Sequence, residues 1–215
     1  MANVILRQIL EDGNRNTIVK VVGILDTSDV VATGTVGASG FTTTLGLKTI
    51  AFVAGALVPM VGQYLTFGDS TTTFPAGTYV TSITDATHIV VNNKALATNA
   101  AAAITITGTA GMLVLLDPAM LHQIGLREGL ANRLLIDHIQ FNIEDLLSVY
   151  LYWEATANDL IVPLEGRGKL CPRSSWINTE TAGTTGKILL DTQGWASSAV
   201  LSFMLEVHVH KSIHS

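Results

Sequence analysis

The sequence predicts an all-β protein: an antiparallel, jelly-roll-like β-sandwich made by residues 1–32 and 110–215, with a small β-barrel or sandwich module, residues 33–109, inserted between them. Three observations predict it. The last long apolar run alternates with a period of two. Leu201, Phe203, Leu205, Val207 and Val209 fall on one side, and Ser202, Met204, Glu206, His208 and His210 on the other. That is the pattern of a half-buried antiparallel strand. Apolar residues elsewhere come in short runs bounded by turn chemistry. Finally, charge is distributed unevenly: between Thr33 and Thr109 only Lys48, Asp69, Asp85 and Lys94 are charged, while both flanks carry ordinary charge.

Along the chain, Met1 to Leu10 is apolar and short, an edge strand or an arm that adds a strand to another subunit. Gly13-Asn14-Arg15-Asn16 is turn chemistry, and the β-branched run Ile18 to Leu25 after it reads as a strand. In the middle module the candidate strands are Thr49 to Val53, Tyr64 to Phe67, Thr78 to Ile83, His88 to Val91 and Ile104 to Thr107. Phe74-Pro75-Ala76-Gly77-Thr78 is a turn entering a strand. Ala100 to Ala103 reads as a helical turn, since alanine leads the helix propensities. After the module, Asp117 caps a short 3₁₀ or helical turn over Pro118 to Ile124, with Pro118 at its first position. Ile139, Phe141 and Ile143 then mark one face of a strand, and Val149, Leu151 and Trp153 one face of the next. Thr184-Thr185-Gly186 is a turn before Ile188-Leu189-Leu190.

Composition excludes several function classes. The chain has 215 residues, 48% of them hydrophobic and 13% charged. No uninterrupted apolar stretch reaches the eighteen or so residues of a spanning helix, and the run Ile50 to Val61 is broken by Gly55 and Pro59. No membrane association is expected. Arg7, Glu11 and Asp12 fall where a secretory signal needs apolar residues. The net charge is −5 and the twelve basic residues are scattered, so no nucleic-acid partner is expected. A single cysteine, Cys171, forms no intrachain disulfide; it reads as a small buried hydrophobe in a protein assembled in a reducing cytoplasm.

Motifs for chemistry are few. No nucleophile elbow, zinc-protease motif or phosphate loop is present. No catalytic, cofactor or metal residue is assigned, and no enzymatic activity or cofactor is expected. Gly166-Arg167-Gly168 reads as a turn rather than an anion cradle, and Asp137 and His138 point to opposite strand faces. Glu206, His208 and His210, with His214 nearby, share one strand face at about 7 Å intervals. Two such histidines can share a metal ion, though solvated imidazoles at a strand end are the simpler reading. Trp153, Trp176 and Trp195 with Tyr150 and Tyr152 suit either a carbohydrate platform or, more simply, core and interface packing.

Several blocks carry a resemblance. They are Arg7 to Asn16, Ile139 to Asp145, Val149 to Ala155, Leu164 to Lys169, Thr185 to Leu190 and Thr192 to Trp195. Together they resemble a family of small tailed-bacteriophage virion structural proteins, across about residues 1–31 and 111–211. The middle module resembles the Gly/Thr-rich β inserts with a Pro-Ala-Gly-Thr turn found in phage particle proteins. The chain departs from the pattern at Cys171 to Trp176. The resemblance implies a structural component of a virion assembled in a bacterial cytoplasm: first a capsid decoration or cement protein, trimeric, that binds the major capsid protein and copies of itself across capsomers. A neck or tail component and a host-surface glycan-binding module are its alternatives.

Overall fold

A computed structural model describes residues 3–13, 15–26, 29, 41–52, 60–68, 73–102, 106–108, 112–121, 133–172, 176–177, 182–197 and 199–212. The protein is all-β, and the chain divides into two compact units, Met1–Val30 with Val114–Ser215, and Val31–Leu113.

In the first unit, strands β1 (Val4–Asp12) and β2 (Asn16–Leu25) precede the second unit. After it come β10 (Leu113–Leu116), the 3₁₀ turn Pro118–Met120, β11 (Arg133–Ile143), β12 (Ser148–Trp153), β13 (Asp159–Glu165), β14 (Arg167–Leu170), β15 (Trp176–Ile177), β16 (Ile188–Gln193) and β17 (Leu201–Ser212). One sheet has the order β1-β2-β17-β11-β14, with β15 also on β11; the other has the order β10-β16-β12-β13. Leaving aside β1 and β15, four strands lie in each sheet. Successive strands cross between sheets at every step except the β12–β13 hairpin. Interleaved Greek keys of this kind make a jelly roll.

The period-two patterns explain the inward faces. Val19, Val21 and Leu25 of β2, Leu205, Val207 and Val209 of β17, and Val149, Leu151 and Trp153 of β12 are all buried. Strand β11 breaks the period. Its register against β17 shifts between Ile136 and His138, which leaves Asp137 as an extra, exposed residue. This bulge lets both Ile136 and Ile139 point inward, although their spacing is odd. Gly23 sits opposite Phe203. A Cβ there would lie 2.2 Å from the Phe203 ring, so the ring occupies the space a side chain would need.

Residues Val4 to Asp12 do not extend away as an arm. They pair antiparallel with β2 of the same chain, from Val4 against Ile24 to Asp12 against Thr17, as the edge strand of the sheet. Burial of Ile5 favours this arrangement, worth roughly 1.5–3 kcal/mol for such a side chain. Arg7 donates from Nη1 to the carbonyls of Val114 (3.3 Å) and Leu115 (3.2 Å), so it bridges to β10 of the other sheet. The β1–β2 turn is fastened to the last strand as well. The Lys211 side chain is fully buried, pairs with Asp12 and donates to the carbonyl of Gly13 at 2.7 Å. Thr17 Oγ1 donates to the same Asp12 carboxylate at 2.9 Å. The Asp117 cap is present too: its Oδ1 accepts from the Ala119 amide at 2.9 Å, with Pro118 opening the turn. Residues 122–124 of the expected turn lie outside the described residues.

The second unit holds β3 (Phe41–Thr43), β4 (Thr49–Phe52), β5 (Leu65–Phe67), β6 (Val80–Asp85), β7 (His88–Val91), β8 (Asn99–Ala102) and β9 (Ile106–Gly108). They form a five-stranded sheet, β6-β7-β4-β3-β8, and a two-stranded one, β5-β9. Phe41, Ile50, Leu65, Phe74, Val80, Ile89 and Val91 make its core. The Phe74 to Thr78 turn closes through Thr78 Oγ1, which donates to the Pro75 carbonyl at 2.7 Å, with Gly77 at φ 76°. Two expectations need correction. Ala100 to Ala102 is strand rather than helical turn, because pairing with β3 outweighs the alanine propensity. The short strand β3 itself was not foreseen.

Candidate functional site

The jelly-roll outer face on β17 and β11 carries the histidine cluster. Alternation along β17 sends Glu206, His208 and His210 outward, all half-buried. Glu206 Oε1 lies 2.7 Å from His208 Nε2. His210 turns instead to β2, with Nδ1 2.9 Å from Asn16 Oδ1. The third member of the cluster is His138. It lies opposite His208 in the β11–β17 register, and the two rings stack at 3.7 Å with 24° between their planes. Burial first, then the neighbouring His208 and Lys169, hold the His138 imidazole below its ordinary value; Asp137 and Glu206 oppose them. Stacked rings direct their nitrogens side by side rather than toward one centre. Among the described residues no group of three or more His, Cys, Asp or Glu is arranged to hold a metal. His214 lies outside the described residues.

An open polar cleft of about 320 Å³ lies where β11 ends, β14 begins and β17 begins, lined by Asn142, Glu144, Asp145, Arg167 and Ser202. Its polar groups largely engage one another. Arg167 Nε donates to Asn142 Oδ1 at 3.1 Å, and Ser202 donates to Glu144 Oε2 from both its amide (2.8 Å) and its hydroxyl (3.1 Å). Gly166, at φ 67°, is the turn between β13 and β14. In the second unit, Asp85 is held down to about 2 by its hydrogen bond with His88 and then by the Thr87 amide and hydroxyl. This exposed cluster closes the β6–β7 turn.

The aromatic residues do not form one platform. Trp153 points inward with Val149 and Leu151, while Tyr150 and Tyr152 point outward from the same strand. Trp195 is held by its indole, which donates to the Ala199 carbonyl at 3.0 Å, and by its amide, which donates to Asp29 Oδ1. Cys171 is exposed, which corrects the expectation of a buried thiol: it follows the end of β14, a strand at the sheet margin, where no layer covers it.

The edge strand β1 leaves apolar surface uncovered. Val4, Leu6, Ile9 and Leu10 are 43–64% exposed, and Ile24, opposite Val4, is 43% exposed. Val4, Leu6 and Ile24 are neighbours on the outer face, whereas Ile9, opposite the inward-facing Val19, lies on the other face at the open edge, and Leu10 sits at the register shift. Lone exposed apolar residues are ordinary; apolar residues gathered along an unpaired edge strand make an association surface. Both this apolar segment and the Ile18–Leu25 strand are visible in the sequence, but their pairing with each other is not. Among the described residues no helix is long and apolar enough to cross a membrane. No family model, curated protein or solved structure matches this chain.

Proposed function

We propose that the chain is a structural protein of a tailed-phage virion, a capsid decoration protein that stabilises the head by binding the major capsid protein and its own copies across capsomers. The observation that carries this reading is the apolar edge on β1 and β2. A nine-residue edge strand with Val4, Leu6, Ile9 and Leu10 uncovered is a liability in an isolated chain. In a permanent assembly it is an interface core, since such contacts bury apolar surface and pair edge strands. The jelly roll is also a recurrent capsid architecture; because one fold hosts many functions, the weight rests on the edge and on the sequence blocks that resemble phage virion proteins. A trimer fits binding around a local threefold position of the shell. The mechanism needs no reacting group.

The test is reconstitution. Purified chain is added to particles assembled without it, and binding and heat resistance are measured. The reading expects saturable binding that raises particle heat resistance. Leu6→Asp with Leu10→Asp abolishes it while leaving the thermal melt of the free chain unchanged, because both side chains are exposed. Normal binding by that double variant would overturn the role of the edge.

A further inference from the structure

The outer face of the sheet that contains β12 is built differently from the apolar edge. Strand β12 sends Ser148, Tyr150 and Tyr152 outward between its buried residues. The two tyrosine rings stack, with centroids 6.4 Å apart, close to the two-residue rise of a strand, and planes within 27° of parallel. Register places Asp191 of β16 opposite Tyr150, and Gln193 of β16 with Glu165 of β13 on either side of Ser148, while Tyr152 lies between Leu160 of β13 and the buried Leu189 of β16.

The polar groups at the Ser148–Tyr150 end keep unused hydrogen-bonding capacity. Tyr150 donates its hydroxyl to Gln193 Oε1 at 3.2 Å, which leaves the Gln193 amide nitrogen with two N–H donors. Ser148 donates to Glu165 Oε1 at 2.6 Å, and the other oxygen of the exposed Glu165 takes no protein donor among the described residues. Asp191 is half-buried. Its Oδ1 accepts the Thr192 amide at 2.8 Å, and its second oxygen takes no protein donor among the described residues. Burial, with Asp29 adding to it and the Thr192 amide opposing, raises its pKa above the ordinary carboxylate value. A partly desolvated carboxylate beside an aromatic ring is costly in the isolated fold, and perturbations of this kind occur at ligand sites as well as in structural networks.

We propose that Tyr150 and Tyr152, flanked by Asp191, Gln193 and Glu165, form a saccharide-binding platform. The chemistry suits sugars. The C–H faces of pyranose rings pack on aromatic rings, and their hydroxyls donate to carboxylates and accept from amides. The stacked pair acts as one aromatic surface, against which one sugar ring packs while its hydroxyls reach the flanking polar groups. An apolar protein partner would not require three flanking polar side chains with free donors and acceptors. This inference does not rest on the capsid role: the platform lies on the opposite sheet from β1, and the two surfaces are testable separately.

The experiment is saturation-transfer NMR and calorimetric titration of the full chain against a panel of neutral hexasaccharides of glucose, galactose and N-acetylglucosamine, together with delipidated bacterial lipopolysaccharide chains. At least one member is expected to bind, with saturation transferred from tyrosine protons. Tyr152→Ala and Asp191→Asn each weaken that binding by about tenfold or more. Asp191→Asn keeps the shape and removes a destabilising charge, so it folds at least as well as the parent and separates loss of binding from loss of structure. Leu6→Asp, on the other sheet, leaves saccharide binding unchanged. No binding across the panel, or binding that survives in the Tyr150→Ala/Tyr152→Ala double variant, overturns the proposal.

Discussion

Replacing Asp12 by Ala takes the carboxylate away from a buried ammonium. Lys211 has no exposed side-chain surface, and its ammonium faces the Asp12 carboxylate and the Gly13 carbonyl. Breaking a buried pair by removing one partner costs about 3–5 kcal/mol, whereas replacing a buried charge by an apolar side chain of similar size is near neutral. Asp12 retains 23% side-chain exposure, so water reaches the pair from that side and the lower figure, about 3 kcal/mol, applies. Lys211→Met removes the charge and keeps the length. Asp12 then retains the Thr17 hydroxyl and water, for a cost of about 1 kcal/mol or less. The assay is urea denaturation followed by tryptophan fluorescence. All three tryptophans, Trp153, Trp176 and Trp195, lie in the jelly-roll unit, so the signal reports that unit alone. With a slope of about 2 kcal/mol per molar urea, Asp12→Ala lowers the midpoint by roughly 1.5 M and Lys211→Met by less than about 0.5 M. Equal shifts for the two variants, or no shift for Asp12→Ala, would refute the buried pair and with it the anchoring of the β1–β2 turn to β17.

Gly23→Ala places a methyl group against the Phe203 ring and lowers stability by about 1–3 kcal/mol, read as a reduced melting temperature; a neutral variant would contradict the close approach. His138 is held below its ordinary value, so the unfolded chain binds this proton more readily than the native one. Stability therefore falls as pH drops below about 6.5 and is recovered above it. Melting temperatures measured from pH 7.5 to 5.5 show this slope, and His138→Gln flattens it; an unchanged slope would remove the stacked pair as its source. Excising residues 31–113 and joining the flanks by a Gly/Ser linker leaves a cooperative tryptophan transition, because the jelly-roll unit has its own core. Loss of that transition would show that the unit does not fold alone.

The sequence made strands legible where alternation was undisturbed. β17 and β12 show their inward faces directly, and so does the second half of β11. The first half of β11 does not, because the bulge at Asp137 inverts the phase and only pairing with β17 reveals it. For the same reason the His138–His208 stack was hidden: Ile139 implied that His138 points outward, but its neighbour comes from a strand seventy positions away by a register no local pattern encodes. β1 was visible as an apolar segment, yet periodicity is the same whether a strand pairs within its chain or with a neighbour. Lys211 looked like an ordinary charged residue, and its burial follows from Asp12 at the other end of the chain. The Tyr150–Tyr152 row was legible as an outward face, but its flanking carboxylate and amide are brought in by β13 and β16 through long-range pairing.

The most direct test of the virion role is cryo-EM of purified particles carrying this chain, with its copy number measured by quantitative mass spectrometry. A decoration protein gives jelly-roll density seated across capsomer boundaries, with β1 against a neighbouring subunit and a copy number comparable with that of the major capsid protein. Particles complete without this chain would contradict it, and density confined to the neck or tail would overturn the decoration role.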